Sequence, residues 1–329
     1  LFAVRNPADV ADRSDHPDHG GERVRLRAPA KLNLALSVGG PVPPKNYHPI
    51  CSWFVPVDLC DEVTVERVRE GEETGHAIRW HERAPAPSPI DWPVEKDLTV
   101  RALAALRAMT GQALPCRITV EKRIPVGGGL GGGSSDCAST LRAVNALFGL
   151  RIPATELLAV AAKLGSDVPF FLDHQEALGA PPSPALVSGF GERIERLPHV
   201  PGWAVLVLPE AACPTGPVYG AFDGGAIAGL DEQRVRRAVS QSVIAGEPRE
   251  DLLFNDLSEA AQVVAPVLRE VIRVVGGATG RRALVTGSGS TVYVVVGDTD
   301  EAVRLRARTE SALAGAGLGC AVVAARLLG

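Results

Sequence analysis

Between Ile124 and Asp136 the chain reads Ile-Pro-Val-Gly-Gly-Gly-Leu-Gly-Gly-Gly-Ser-Ser-Asp, and six of these thirteen residues are glycine. What flanks it is regular. Cys116 to Val126 carries Ile118, Val120 and Ile124 in a strand-like alternation; beyond it Ala138, Leu141, Val144 and Phe148 recur at helical spacing, and Gly149 follows as a stop. Strand, glycine loop and helix start form a phosphate-binding arrangement. Glycines let backbone N–H groups approach an anion, and the helix N-terminus adds partial positive charge. Ser134 and Ser135 either cap the helix or lend hydroxyls to a phosphate or its metal. A flexible linker need not lie between such elements.

Two common phosphate loops do not fit. The Walker pattern ends in Gly-Lys-Ser/Thr, and this loop contains no lysine. Gly127, Gly129 and Gly132 match dinucleotide spacing, but that fold needs a strand ending in an acid about 20 residues on. At that distance the chain reads Arg151-Ile152-Pro153-Ala154-Thr155-Glu156, the start of a helix. What remains is Pro-x-x-x-Gly-Leu-Gly, then small residues and Ser-Ser.

At 329 residues the chain can bury a large core, and two lobes are expected. A formal charge of −4 gives no electrostatic case for nucleic acid. Six scattered cysteines without a C-x-x-C pair argue against a disulfide framework or zinc site and suit a reducing cytoplasm. No apolar run is long enough to span a bilayer, so no membrane partner is expected. Residues 1–22, rich in Asp, Arg, His and Gly, predict a disordered tail that is neither signal peptide nor anchor. Met109 is the only methionine, which suggests a trimmed start or an unusual start codon. Nothing sets the oligomeric state.

Order is expected from Arg23. Val24, Leu26 and Ala28 alternate with arginines; after Pro29, Leu32, Leu34, Leu36 and Val38 resume, placing Lys31, Asn33, Ala35 and Ser37 on the opposite face. Lys31 and Asn33 are then either aimed at a cleft or part of a solvated face. Residues 39–50 read as a loop, in which Tyr47 and His48 either stack on a base or are ordinary loop residues. Trp53 to Val57 and Glu62 to Val68 read as strands around a turn, Asp58 to Asp61. Residues 70–95 read as a surface excursion. Asp97 caps a helix presenting Leu98, Ala102, Ala105 and Met109, closed by Gly111. A helix from Pro153 and Thr155 to Leu164 precedes Ser166-Asp167-Val168-Pro169-Phe170-Phe171. Asp167 is then a partly desolvated acid or a helix cap. The second half predicts a turn at 189–192, a buried strand from Trp203 to Leu208, a loop or short helix at 213–219, and helices over 231–245 and 256–275. Leu284 to Val296 reads as a strand behind a glycine turn, followed by a helix at 300–314 and a strand at 320–327. Thr286 to Gly289 is a simple turn or a second surface of donors.

Four separated segments, Ala28 to Leu34, Pro125 to Asp136, Leu164 to Phe171 and Thr286 to Thr291, together resemble the small-molecule kinases named for galactose, homoserine, mevalonate and phosphomevalonate (the GHMP kinases). Tyr47-His48, Pro56 to Leu59 and Phe254 to Leu257 resemble the branch acting on a cytidine-diphosphate-linked methylerythritol in the non-mevalonate isoprenoid pathway. The resemblance covers about residues 23–329. It implies an α+β, two-lobed fold: an ATP-binding lobe over 23–175, like domain 2 of ribosomal protein S5, and a ferredoxin-like substrate lobe over 176–329. It also implies ATP-dependent phosphorylation of the substrate's 2-hydroxyl. Pro125, Val126, Gly127, Gly128, Gly129, Leu130, Gly131, Gly132, Gly133, Ser134 and Ser135 correspond to the phosphate loop, and Lys31 and Asp167 to the acid–base pair. Asn33, Thr215, Tyr47, His48 and Tyr219 correspond to substrate contacts, the last three to the cytosine site. Mg²⁺ is expected with ATP; no residue is assigned as its ligand. The branch usually reads Arg-x-Asp-Gly-Tyr-His-Glu-Leu where this chain has Pro44-Lys45-Asn46-Tyr47-His48-Pro49-Ile50, so the Asp-Gly turn and the acid after the histidine are missing. Other acceptors (homoserine, mevalonate, a sugar) and a non-catalytic nucleotide-binding regulator are the alternatives.

Overall fold

The computed structural model describes residues 22–44, 46–69, 72, 74–173, 177–225 and 229–329. The expected tail at 1–22 therefore falls almost wholly outside the described residues. The chain opens with two long antiparallel strands, β1 (Arg23–Val38) and β2 (Ile50–Arg67), followed by β3 (Gly75–Trp80). Helix α1 (Leu98–Thr110) leads into β4 (Cys116–Lys122), and the glycine loop then joins β4 to α2 (Gly132–Leu147). Next come α3 (Ala154–Leu164), the single turn α4 (Val168–Phe171), and the hairpin of β5 (Ala185–Gly189) and β6 (Arg193–Arg196). The remainder is β7 (Trp203–Pro209), α5 (Thr215–Asp223), α6 (Glu232–Ala245), β8 (Phe254–Asn255), α7 (Ser258–Val264), α8 (Val267–Thr279), β9 (Leu284–Val285), β10 (Val292–Val296), α9 (Thr299–Gly315) and β11 (Cys320–Arg326).

The fold is α+β. The larger sheet runs β3-β4-β2-β1-β8, with β5 and β6 continuing from the other end of β2; the smaller runs β11-β7-β10-β9. Residues on both sides of position 175 thus contribute to the larger sheet. Helices α1 to α4 cover one of its faces, burying Leu106, Leu141, Val144 and Phe170 against Leu26, Val65 and Ile118. Its other face packs on the smaller sheet. Along β7, Ala204, Leu206 and Leu208 enter this inter-sheet core, while Val205 and Val207 face the outer helices; Tyr293 and Val295 divide from Val292 and Val294 in the same way. Both strands are apolar apart from the Tyr293 hydroxyl because both faces are covered.

Several boundaries differ from expectation, each for a local reason. The supposed turn Asp58 to Asp61 lies inside β2: pairing passes from Ala30↔Val57 to Pro29↔Cys60, so Asp58 and Leu59 form a bulge rather than a reversal. Residues 75–80, expected in a surface excursion, pair in parallel with β4 as an edge strand. Asp97 does cap α1, accepting from Thr99 N at 2.9 Å, but the buried face is Thr99, Ala102, Leu103 and Leu106, and Met109 is exposed. The helix expected over 256–275 is two helices, because Pro266 at the start of α8 lacks the N–H that would continue α7. β5 and β6, which flank the turn at 189–192, were not anticipated.

Candidate active site

The glycine loop is built by handedness. Gly127, Gly129 and Gly131 have φ of 72°, 75° and 70°, alternating with residues outside the left-handed region. That alternation turns successive N–H groups toward a common concavity suited to an anion. Gly131 is the residue before α2, and its side of the helix has no side-chain cap. Ser134 and Ser135 therefore sit in the first turn and do not cap. The Ser135 hydroxyl is buried without a hydrogen-bond partner among the described residues.

The loop is held from three sides. Beneath it lies a buried charge cluster: Lys122 at the end of β4 donates to Asp136 in the first turn of α2 at 2.7 Å and also to Asp61 of β2. Asp61 in turn accepts from the backbone N–H of Arg123 and, at 2.8 Å, of Ile124, just ahead of the loop. Burial pushes the Asp136 carboxyl well up, and the Asp61 charge adds to this while Lys122 opposes it. Lys122 resists deprotonation: burial works against its charge, but Asp136 and Asp61 outweigh it. On a second side Lys31 N donates to Leu130 O at 2.9 Å. On the third, residues 286–291 between β9 and β10 press close: Thr291 N donates to Gly128 O at 3.2 Å, and a Cβ on Gly129 would stand 2.4 Å from Thr286 O. The Thr286 to Gly289 turn is thus packed on the glycine loop.

Lys31 and Asp167 meet beside this loop, with Nζ 3.6 Å from Oδ2. Lys31 is 4% exposed and Asp167 is 27% exposed, so the carboxylate is the member that faces the open space. Burial lowers the Lys31 pKa below the ordinary lysine value of 10.5, and Asp167 partly restores it. Lys31 also donates to Asn33 Oδ1 at 2.7 Å and lies 4.8 Å above the Phe54 ring. Asn33 is itself fully engaged. Its Oδ1 also accepts from Thr286 Oγ1, its Nδ2 donates to Ser52 Oγ at 2.9 Å, and its carbonyl accepts from Tyr293 Oη at 2.9 Å. The register of β1 with β2 shifts between Asn33 and Ala35, so Ala35 joins Leu34 in the inter-sheet core and the strict alternation stops.

A cleft of about 1730 Å³ opens over these groups and is lined by Lys31, Asn33, Asp167, the glycine loop and residues 209–216. Tyr47, His48, Thr215 and Tyr219 line it too. His48 Nε2 lies 2.7 Å from Asp223 Oδ1, and its ring centroid is 4.8 Å from that of Tyr219. Burial, with the Asp167 charge adding to it, pushes the Tyr219 phenol up to about 12. Tyr47 is 59% exposed and meets Phe190 edge-on at 6.4 Å. Thr215 Oγ1 stands 3.5 Å from Ser288 Oγ. A second cavity of about 390 Å³ lies across the glycine loop and is lined by Ile78, Trp92, Lys96 and Asp97 as well as by the loop itself.

Sequence reasoning passed over Asp61, Lys122, Tyr293, Asp223, Phe190 and Trp92. Three of these left a trace: Lys122 at the end of β4, Asp61 inside the largely apolar run of β2, and the phenol of Tyr293 in an otherwise aliphatic β10. Asp223 and Phe190 become neighbours of the site only through tertiary packing.

Residues 97–174 match the GHMP kinases N terminal domain. The chain is 34% identical over 292 residues to the 4-diphosphocytidyl-2-C-methyl-D-erythritol kinase of Geobacter sp. (strain M21), covering 88% of this chain and 95% of that protein. It is 37% identical over 275 residues to the enzyme of the same name from Anaeromyxobacter dehalogenans (strain 2CP-C), covering 83% and 80%. A crystal structure of 4-(cytidine 5'-diphospho)-2C-methyl-D-erythritol kinase is similar at a TM-score of 0.70 and 31% identity, covering 93% of this chain and all of that one.

Proposed function

We propose the following reaction for this chain, which belongs to the family of 4-diphosphocytidyl-2-C-methyl-D-erythritol kinases: transfer of the γ-phosphoryl group of ATP to the 2-hydroxyl of 4-diphosphocytidyl-2-C-methyl-D-erythritol. The observation that carries it is the Lys31–Asp167 pair beside a left-handed glycine loop, in a cleft that also holds His48 and Tyr219.

Phosphoryl transfer asks the protein to hold phosphates and aim a hydroxyl rather than to make bonds. The N–H groups of residues 127–133 and the N-terminus of α2 receive the triphosphate. The smaller cavity takes the adenosine, with the flat face of Trp92 as a wall for the purine. Asp167, the solvent-facing member of its pair, accepts the hydroxyl proton as the P–O bond forms. Lys31 keeps that carboxylate ionised and offsets charge on the phosphoryl group in flight. Asn33 acts from behind, fixing the Lys31 ammonium at 2.7 Å. At the far end of the cleft Tyr47, His48 and Tyr219 receive the cytosine, and Thr215 lies near the diphosphate.

Among the described residues no group of three or more His, Cys, Asp or Glu is arranged to hold a metal ion. Two buried oxygens near the start of α2, Ser135 Oγ and Asp136 Oδ1, have no hydrogen-bond partner among the described residues; the Ser135 hydroxyl would suit Mg²⁺, an ion that keeps most of its shell as phosphate oxygens and water. Bound there with ATP, Mg²⁺ supplies charge neutralisation. No helix among the described residues is long and apolar enough to cross a membrane, and all six cysteines are free thiols, which accords with a cytoplasmic location.

The test is ATP consumption by the purified protein with the cytidyl substrate, homoserine, mevalonate and galactose as competing acceptors, and phosphorus NMR of the product. Turnover with the cytidyl substrate alone, yielding a 2-phosphate monoester, is expected. ATP consumption indifferent to acceptor, or faster with another alcohol, would refute the assignment.

A further inference from the structure

Helix α5 turns three residues toward the loop that carries His48. Tyr219, Phe222 and Asp223 are spaced i, i+3 and i+4 and so share one face of the helix. The Tyr219 ring stands 4.8 Å from His48, the Phe222 ring 6.1 Å edge-on, and Asp223 Oδ1 lies 2.7 Å from Nε2. The imidazole is thereby enclosed: its side chain is 7% exposed, whereas Asp223 keeps 39%. The residue after His48 is Pro49, so the loop itself offers no acid there.

We infer that Asp223 is a specificity-determining positioning residue, which fixes the tautomer and orientation of His48 so that the imidazole selects a pyrimidine carrying an exocyclic amino group. A carboxylate has only acceptor oxygens, so the hydrogen between it and a neutral imidazole belongs to Nε2. The other nitrogen, Nδ1, is then a pure acceptor. Which ring nitrogen carries the proton is set in this way by the hydrogen bond the other end makes. Cytosine offers an amino donor at C4, where uracil offers a carbonyl oxygen. An acceptor therefore attracts the first base and meets a lone pair on the second. Without Asp223 the ring is free to turn over, which puts Cδ2–H where the Nδ1 acceptor stood, or to carry its proton on Nδ1; the first removes the acceptor and the second presents a donor that favours uracil.

The inference rests on the reading of the cleft as a cytidyl site, and the test separates the two. Steady-state kinetics with the cytidyl substrate and its uridyl analogue are measured for the wild type, Asp223→Ala, Asp223→Asn and His48→Ala, with ATP affinity as a control for folding. Asp223→Ala should raise KM for the cytidyl substrate about tenfold, the change expected for one ordinary hydrogen bond. It should narrow the cytidyl-to-uridyl ratio by a similar factor while leaving kcat and ATP affinity within twofold. Asp223→Asn, which still offers an acceptor oxygen, should retain most of the ratio. Nitrogen-15 NMR of the imidazole should show the Nε2–H form in the wild type and a mixture in Asp223→Ala. If His48→Ala collapses the ratio and Asp223→Ala does not, the inference fails and the cytidyl reading stands. If His48→Ala also leaves the ratio unchanged, the reading of the site itself fails. A wild-type imidazole protonated on Nδ1 overturns the inference directly.

Discussion

Removing one oxygen from the centre of the molecule tests how the two sheets are coupled to the catalytic lysine. Tyr293 belongs to the smaller sheet, is fully buried, and donates its hydroxyl to the carbonyl of Asn33 in the larger one. That carbonyl lies where the β1–β2 register shifts, and the side chain of the same residue grips Lys31. Tyr293→Phe keeps the ring and its packing but leaves a buried carbonyl without this donor, at a cost of about 2 kcal/mol. With an unfolding entropy of about 2.1 cal/mol/K per residue over 329 residues, the midpoint should fall by about 3 °C. Scanning calorimetry measures that shift. Because Asn33 loses its backbone link to the smaller sheet's Tyr293 while keeping those to Ser52 and Thr286, turnover at 25 °C should also fall several-fold while ATP affinity holds. A lowered midpoint with unchanged turnover would refute the positional half of the argument. An unchanged midpoint would refute the whole of it.

Asp167→Asn should cut turnover by about 10²-fold with the fold and ATP binding preserved, and Lys31→Ala combined with it should add little; full additivity in the double mutant would mean the two act separately. Gly131→Val places a Cβ 3.1 Å from the Lys31 stem and 3.2 Å from Phe171 at a φ of 70°. It should therefore displace Lys31 and reduce turnover more than ATP affinity, as single-turnover kinetics and titration together can show; nucleotide binding lost with turnover per bound ATP intact would instead mean that the side chain blocks the phosphates. The raised Asp136 pKa makes stability pH-dependent. Above the ordinary aspartate value of 3.8 the unfolded chain releases a proton that the folded chain keeps, so this group's contribution falls as pH rises to the folded pKa and is level beyond it. Denaturant titrations across pH should show that decline in the wild type and its absence in Asp136→Asn; identical profiles would exclude Asp136 as the source.

The parts of the site legible in the sequence were those whose chemistry is local. Alternating apolar residues located β1 and β4, and the glycine run between a strand and a helix marked the loop, while which of its glycines are left-handed emerged only from the structure. Asp97 and Gly111 marked both ends of α1 correctly because caps are satisfied within a few residues. The failures share a cause in long-range packing. Asp58 to Asp61 has the composition of a turn, yet pairing along β1 draws it into one strand and buries Asp61 against Lys122. The 256–275 pattern kept a helical period across Pro266, so periodicity concealed the break. Residues 75–80 gain strand character only from the β4 edge beside them. His48 could be named from its neighbours in sequence, but Asp223 lies 175 positions away and reaches it only because α5 folds over the cleft.

The two cavities flanking the glycine loop also bear on whether the substrates must bind in any fixed order. Pro125 to Gly129 and Gly131 line both cavities, so under the proposed reaction donor and acceptor sit on two sides of one loop and neither must leave before the other arrives. On that reading both partners reside on the protein at once, and the expected route is direct transfer of the phosphoryl group with no covalent stop on a side chain. Initial-rate plots at varied ATP should intersect rather than run parallel, and each substrate should bind to the free protein in its own right.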